Sequence, residues 1–312
     1  MKLNQLRDLI AIAEHGGLRR AARHLGVAQP AITRSIRELE RELGAPLFER
    51  SATGMTLTPI GQAFMRRSMA ARLELDRACD EVRQLKGVHT GAVSVGLSTA
   101  PHVGMLPQVL ARFQRRFPDV VMKITEGLFP AMEGQVRDGS IDFYVGPLAE
   151  TIPCAEFSVE KLFDNWRVIL ARPGHPLARA RSLRELVSAR WVATSVTSRS
   201  DAELCPLFER QGLPMPKIAV HAHSALTMIT VASSSDLLAI LPQQWLDFLQ
   251  SAGLLIPIVL DEQLPAPPIC IVKRSRLPLV PIAEHLSDLF RRACVNLAVK
   301  PAPRKAPTHH RR

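Results

Sequence analysis

The sequence has little of what marks a secreted, membrane-bound or catalytic chain. Its five cysteines, Cys79, Cys154, Cys205, Cys270 and Cys294, are odd in number and widely spaced, with no C-x-x-C pair. That pattern excludes a disulfide framework and fits a reducing cytoplasm. For each thiol, a redox sensor and a small buried hydrophobe are the two readings open. No stretch approaches the ~18 uninterrupted apolar residues of a membrane span, so no membrane partner is expected. The opening "MKLNQLRDLIAIAEHGG" has an apolar stripe, but Asp8 and Glu14 interrupt it and no small-residue cleavage site follows; a signal peptide is not expected. Also missing are a G-x-S-x-G elbow, a phosphate-binding Walker loop, a G-x-G-x-x-G turn and an H-E-x-x-H pair. No cofactor is implied.

Acidic residues are in deficit: 29 Asp and Glu against 40 Lys and Arg give a net charge of +11 and a pI near 10.1. This balance favours a polyanionic partner, nucleic acid or an anionic surface, and says nothing about fold. Part of it lies in the segment "VKPAPRKAPTHHRR", Pro-rich and free of acids, which reads as a disordered basic tail over 299–312. With 312 residues, 46% hydrophobic and 22% charged, the rest is globular and long enough for two or three domains.

Leu3, Leu6, Leu9, Ile10 and Ala13 recur at helical spacing up to Gly16-Gly17. Leu18, Ala21, Ala22 and Leu25 mark a short second helix closed by Gly26. In "AQPAITRSIRELERELG", Ile32, Ile36, Leu39 and Leu43 fall at i, i+4, i+7 and i+11, so one stripe of a third helix faces a core. Two short helices joined tightly through Gly26-Val27-Ala28 form a helix-turn-helix. In that motif the first turn of the second helix enters the major groove of double-stranded DNA. The outward residues there are Gln29, Ala31, Thr33 and Arg34, with Pro30 fixing the turn. Gln can bond adenine bidentately, Arg can bond guanine, and Ala or a Thr methyl can touch thymine. Arg34 and Arg37 lie near the groove end, and Glu38, Glu40 and Glu42 lie further along. Helix-turn-helix patterns also occur in proteins that bind no DNA, and a solvated amphipathic helix remains the alternative.

"PLFERSATGMTLTP" adds two short extended runs around Ser51-Ala52-Thr53-Gly54, a wing, with Arg50 at its edge placed to meet a phosphate. Together, "LRRAARHLGVAQPAITRSIRELERELGAPLFERSATGMTLTPIGQAF" resembles the winged helix-turn-helix of LysR-type transcriptional regulators, and the length and organisation of the remainder are similar too. The resemblance implies that Gln29, Pro30, Ala31, Thr33 and Arg34 face the groove, with Arg50 and Thr53 at the wing. Two positions depart from the family's pattern. Ala28 stands where Ser or Thr is frequent, removing a helix cap worth about 1 kcal/mol; Thr53 stands where many members carry a basic residue, weakening the wing's grip.

Thr58-Pro59 is an N-cap followed by proline, opening a helix that runs to Lys86-Gly87, a rod of roughly 40 Å. Ala71, Leu75, Ala78, Val82 and Leu85 keep 4-3-4-3 spacing, a coiled-coil seam ringed by charges. Packing on its own domain is the alternative to a dimer seam. A two-fold dimer predicts a partly palindromic operator. The resemblance implies that such helices pair and that tetramers are common, so a homodimer or homotetramer is expected; RNA polymerase is a candidate further partner.

From Gly91 onward strands and helices alternate, which reads as a two-lobed α/β domain. The first lobe has "AVSVGL", a helix over "VGMLPQVLARFQRRF", "VVMKITEG", a helix over "AMEGQVRDGS" and "IDFYVGP". The second starts near "WRVILA", with helices around 182–187, 201–211 and 224–234 between "WVATS", "KIAVHAH" and "LLAIL"; "PPICIVKR" and a helix over 280–298 return to the first. The expected division is therefore 1–58, 59–87, lobe I over 91–162 and 268–298, and lobe II over 163–267. Ligands of open α/β sheets bind beyond the carboxyl ends of strands. Ser98, Thr99 and Ala100 lie there in the first lobe and Ser195, Thr197, Ser198 and Arg199 in the second. Gly127, Phe129, Gly146 and Pro147 end neighbouring strands. Hydroxyls, amides and Arg199 would suit a small anion, although Ser and Thr are also ordinary helix caps. The resemblance implies the same place, an effector cleft between two periplasmic-binding-protein-like subdomains; "GLFPAM" resembles regulators of aromatic acid or sulfonate degradation. His221 and His223 alternate on a strand as a weak metal pair, and Asp138 with Asp142 reads as solvated capping. The alternative function is a solute-binding or enzymatic α/β protein whose helix-turn-helix binds no DNA.

Overall fold

Gly16, Gly26 and Gly44 each take a left-handed φ near +67°, and each ends a helix where the sequence places a stop. The computed structural model describes residues 1–51, 54–148, 156–194, 204–222 and 224–298. They fall into two compact units, one essentially Met1–Val82 and the other beginning at Arg83.

The first unit contains α1 (Leu3–His15), α2 (Leu18–Leu25), α3 (Gln29–Leu43), the hairpin β1 (Phe48–Ser51) and β2 (Gly54–Leu57), and most of α4 (Pro59–Leu85). Leu9, Ile12, Ala21, Ile32, Leu39 and Leu47 are its fully buried centre. Leu43, expected in this core, is 40% exposed. The helix stops one residue later, so Leu43 projects past the layer, and Leu47, arriving from the turn beyond, fills the place. Glu40 holds this return: its carboxylate accepts from the Leu47 amide at 2.7 Å and the Phe48 amide at 3.3 Å. It therefore braces the hairpin instead of simply facing water.

At the start of α4 the Thr58 hydroxyl accepts from the Gly61 amide at 2.9 Å and donates to the Pro46 carbonyl at 2.8 Å, closing the expected cap. Gly61 is required by close approach, since a Cβ there would lie 2.0 Å from the Leu47 carbonyl oxygen. Gly61→Ala should destabilise this unit by about 2 kcal/mol through overpacking, outweighing the ~1 kcal/mol gain in helix propensity. Denaturant unfolding measures it; an unchanged or higher midpoint would contradict the packing described.

The second unit holds a nine-stranded sheet. Its strands and helices are β3 (Gly91–Leu97), α5 (Thr99–Gly104), α6 (Leu106–Arg116), β4 (Val120–Glu126), α7 (Phe129–Asp138), β5 (Phe143–Pro147), β6 (Phe157–Ala171), β7 (Arg190–Thr194), α8 (Cys205–Glu209), β8 (Lys217–Ala222), α9 (Ala225–Ser234), β9 (Leu237–Pro242), α10 (Trp245–Ser251), β10 (Ile256–Ile258), β11 (Pro265–Arg274) and α11 (Pro281–Ala298). The order is β4-β3-β5-β11-β6-β9-β7-β8, with β10 on β6. Parallel triplets β4-β3-β5 and β9-β7-β8 form the two halves, and the antiparallel pair β11 and β6 runs between them. Each half has apolar clusters on both faces: Val95, Phe113, Ile271 and Phe290 against Phe129, Tyr144, Phe157 and Val272 in one, and Trp191, Phe208 and Ile240 against Met228, Leu241 and Leu249 in the other. Burial on both faces explains the near-continuous apolar runs of these strands.

Several elements differ from expectation. The helix expected over 103–117 is two, α5 and α6, because Pro107 cannot supply an amide to the turn before it and the chain breaks at Met105 (φ −124°). Residues Leu183–Leu186 form a 3₁₀ turn, and α8 is short. β6 begins at Phe157, nine residues before the expected strand, since Glu160, Lys161, Asp164 and Asn165 disguise its alternation. α10 has no counterpart among the expected elements. Asp142 is buried and no solvated cap: it accepts from the Ser94 amide at 2.8 Å, while its own amide donates to the Ser94 carbonyl at 2.8 Å. Asp138 does cap, accepting from the Ser140 amide and hydroxyl. His221 is exposed on β8; His223, Cys154 and the tail lie outside the described residues. Among the described residues no group of three His, Cys, Asp or Glu could hold a metal ion, and no helix is long and apolar enough to cross a membrane.

Candidate DNA-reading helix and effector cleft

The turn between α2 and α3 is closed by backbone alone. The Val27 amide donates to the Ala22 carbonyl at 3.0 Å, and Gly26 makes the left-handed step. Ala28 takes an extended N-cap conformation (φ −70°, ψ 134°), and the side-chain cap that Ser or Thr would supply is absent. Its carbonyl accepts from the Ala31 amide at 2.9 Å, and Pro30 has no amide that would need a cap. Ile32, Ile36 and Leu39 anchor one face of α3 in the core, which leaves Gln29, Pro30, Ala31, Arg34 and Arg37 exposed on the other. Thr33 is half-buried, and its hydroxyl donates to the Gln29 carbonyl at 3.0 Å. Its proton is engaged by the helix, so what Thr33 can offer a base is its methyl or an acceptor lone pair.

This geometry makes Thr33→Val close to neutral for DNA binding, within about twofold by fluorescence anisotropy on an operator duplex. A tenfold loss would mean that the hydroxyl contacts DNA, either by accepting through its free lone pair or by leaving Gln29.

The wing strands pair Phe48 with Leu57, Arg50 with Met55 and Ser51 with Gly54. Arg50 thus lies at the outer end of β1, and Thr53 lies outside the described residues. The hairpin's root touches the α1–α2 turn: a Cβ at Gly54 would be 2.6 Å from the Gly16 carbonyl, which accepts from Arg20 at 3.1 Å.

In the second unit, the carboxyl ends of β4, β3 and β5 lie side by side. The Ser98 amide donates to the Val145 carbonyl at 3.0 Å and the Gly127 amide to the Leu97 carbonyl at 3.0 Å, which brings Ser98, Thr99, Gly127, Gly146 and Pro147 together. Ser98 precedes α5 in an extended conformation, and its carbonyl accepts from the His102 amide at 3.2 Å. Ala100 and Phe129 have a different place: both side chains are core, 1% and 3% exposed, with the Phe129 ring against Tyr144 and Phe157. They can meet a ligand only through backbone. Thr197, Ser198 and Arg199 lie outside the described residues.

Three groups had no signal in the pattern of residue types. α10 from the second half packs against α5 from the first, and Gln244 and Trp245 at its start carry a buried Oε1 and a buried Nε1 with no hydrogen-bond partner among the described residues. Tyr144, on β5, has a wholly buried hydroxyl beneath Ser98.

Residues 3–62 match the model of the bacterial regulatory helix-turn-helix protein, lysR family, and residues 86–295 match the LysR substrate binding domain. The chain belongs to the LysR family. It is 28% identical to the HTH-type transcriptional regulator GbpR of Azospirillum brasilense over 239 residues, 76% of this chain and 70% of that one. It is 29% identical to the SDS degradation transcriptional activation protein of a Pseudomonas species, over 77% of this chain and 78% of that one. In fold it is similar to full-length CbnR complexed with its target DNA, with a TM-score of 0.69, 23% identity, and coverage of 94% of this chain and 100% of that one. As a LysR-family chain it is a DNA-binding transcriptional regulator with an effector-binding domain, and not an enzyme. LysR regulators bind DNA and small-molecule effectors and form oligomers.

Proposed function

We propose that this regulator reads a partly palindromic promoter site with the first turn of α3. In this reading Gln29, Pro30, Ala31, Thr33 and Arg34 lie in the major groove, and Arg50 and Thr53 lie at the wing. The observation that carries it is the division of α3 into a buried stripe and an exposed, proline-set first turn. The charge of +11 supports the phosphate side of the contact. The working division is 1–58 for DNA, 59–87 for pairing, and two lobes, 91–162 with 268–298 and 163–267, for effector.

The effector is a small anion, an aromatic carboxylate or sulfonate, held by Ser98, Thr99, Gly146, Pro147, Thr197, Ser198 and Arg199 and by the backbone at Ala100 and Phe129. Support comes from the aligned strand ends and from a relative whose name refers to degradation of SDS, an organic sulfate. Binding shifts the lobes' balance of conformations, and that alters how paired winged domains sit on or bend DNA. The protein acts in the cytoplasm.

A gel shift with the DNA upstream of its own gene tests the DNA half: specific retardation in modest salt is expected, and none would sink it. A thermal-shift panel led by carboxylates and sulfonates tests the effector half, since a ligand at 100 times its Kd stabilises by about 2.7 kcal/mol. A response confined to neutral compounds would overturn the anionic assignment.

A further inference from the structure

The chain has a single tyrosine, Tyr144, and it is fully buried. Its ring is clamped by Phe129, with centroids 5.5 Å apart, on the face of the sheet that also holds Phe157 and Cys270. Tyr144 and Gly146 are two apart on β5 and so share a face, and the phenol lies back over the glycine. A Cβ at Gly146 would sit 2.1 Å from the Tyr144 hydroxyl oxygen and 2.8 Å from the Ser98 Cβ. Gly146 is therefore the gap that lets the hydroxyl reach the end of β3.

The Tyr144 hydroxyl borders the same gap beside Gly146 as the Ser98 side chain. Neither it nor the Ser98 hydroxyl closes a bond of standard geometry among the described residues, although both oxygens are buried. Two adjacent buried hydroxyls in this state are costly unless small rotations join them and a third group completes the chain. Burial pushes the Tyr144 phenol up from its ordinary range, so it stays protonated and remains a donor.

We propose that Tyr144 is a positioning residue for the effector cleft: its hydroxyl donates to Ser98 Oγ, which leaves the Ser98 proton to be donated to an acceptor oxygen of the effector. The order of donors has a consequence for specificity. A serine hydroxyl alone can turn to a ligand as donor or acceptor. With its oxygen engaged from below, Ser98 presents a donor, and an oxyanion or carbonyl is preferred over a ligand offering N–H or O–H at that point. This deepens the effector reading above and rests on its placement of the cleft at Ser98.

Because Tyr144 is the sole tyrosine, the full-length protein labelled with [13Cζ]tyrosine gives one resonance. Ser98→Ala is expected to move that resonance, with no ligand added. Titration of wild type with benzoate or benzenesulfonate should move it as well, and Tyr144→Phe should bind the same anion about tenfold more weakly by calorimetry, with the ring packing kept. A resonance indifferent to Ser98→Ala overturns the relay, as does a folded Tyr144→Phe that binds the anion with wild-type affinity. If neither anion binds wild type, the anionic-effector reading falls, and the Ser98→Ala resonance alone decides the relay. If Tyr144→Phe does not fold, that same resonance decides it.

Discussion

Arg34→Ala is expected to lose about 1 to 3 kcal/mol of specific operator binding and to relax the preference at one base pair. Arg34 is exposed one turn into α3, on the face opposite Ile32 and Ile36, where no side chain of the core competes for it. The guanidinium can then form two parallel bonds to the O6 and N7 of a guanine, a match that lysine's single ammonium does not reproduce. Arg34→Lys should accordingly recover only part of the loss. Competition with scrambled duplexes separates the two roles of the residue. If Arg34→Ala weakens all sequences alike and only lowers the salt slope, Arg34 is a phosphate contact and the specificity lies with Gln29.

The second large effect concerns α4. Leu75 and Val82 are 46% and 52% exposed on the single chain, and Ala71, Ala78 and Leu85 on the same stripe are exposed too. Two such stripes paired about a two-fold axis would bury all five positions, with the Arg72–Asp76 and Arg77–Glu74 pairs at the margins. The double substitution Leu75→Asp with Val82→Asp would place four carboxylates in one dimer seam, each desolvated without a partner. We expect the sedimenting mass to fall by half at micromolar concentration, and operator affinity to fall about 100-fold as each chain holds one half-site. The slope of log K against log salt should drop to about half, since half the phosphates are neutralised. An unchanged mass and slope would remove α4 from the interface.

Those experiments bear on residues that were legible in the sequence, and the reason is local. Helix starts and stops are set by neighbours in the chain: Gly16, Gly26 and Gly44 end helices because only glycine takes the left-handed step cheaply, and Thr58 with Pro59 opens one. The stripe Ile32, Ile36 and Leu39 announces its buried face by spacing alone. The alternation of strands and helices after Gly91 sets the α/β class in the same way. Breaks within this local grammar are also local: Pro107, near the start of α6, separates it from α5.

What only the tertiary structure decided depends on residues far apart in the chain. Leu47 replaced Leu43 in the core because the wing's return path brings it there, and Glu40 bonds that return. The length of β6 could not be read from its charged residues, because its alternation is satisfied by pairing with β11 about a hundred positions later. Ala100 and Phe129 lie in the first turns of α5 and α7, just beyond strand ends, yet their side chains turn into the core, and the direction of a side chain at a helix start is fixed by the layer beneath it. Tyr144 is the strongest case. In sequence it is one apolar-flanked aromatic in a buried strand; its hydroxyl comes near the side chain of Ser98, forty-six residues earlier, only because β3 and β5 are neighbours in register and Gly146 leaves the space between them. Spacing reports which face a residue takes, but the partner on that face is chosen by topology, through contacts that no periodicity encodes.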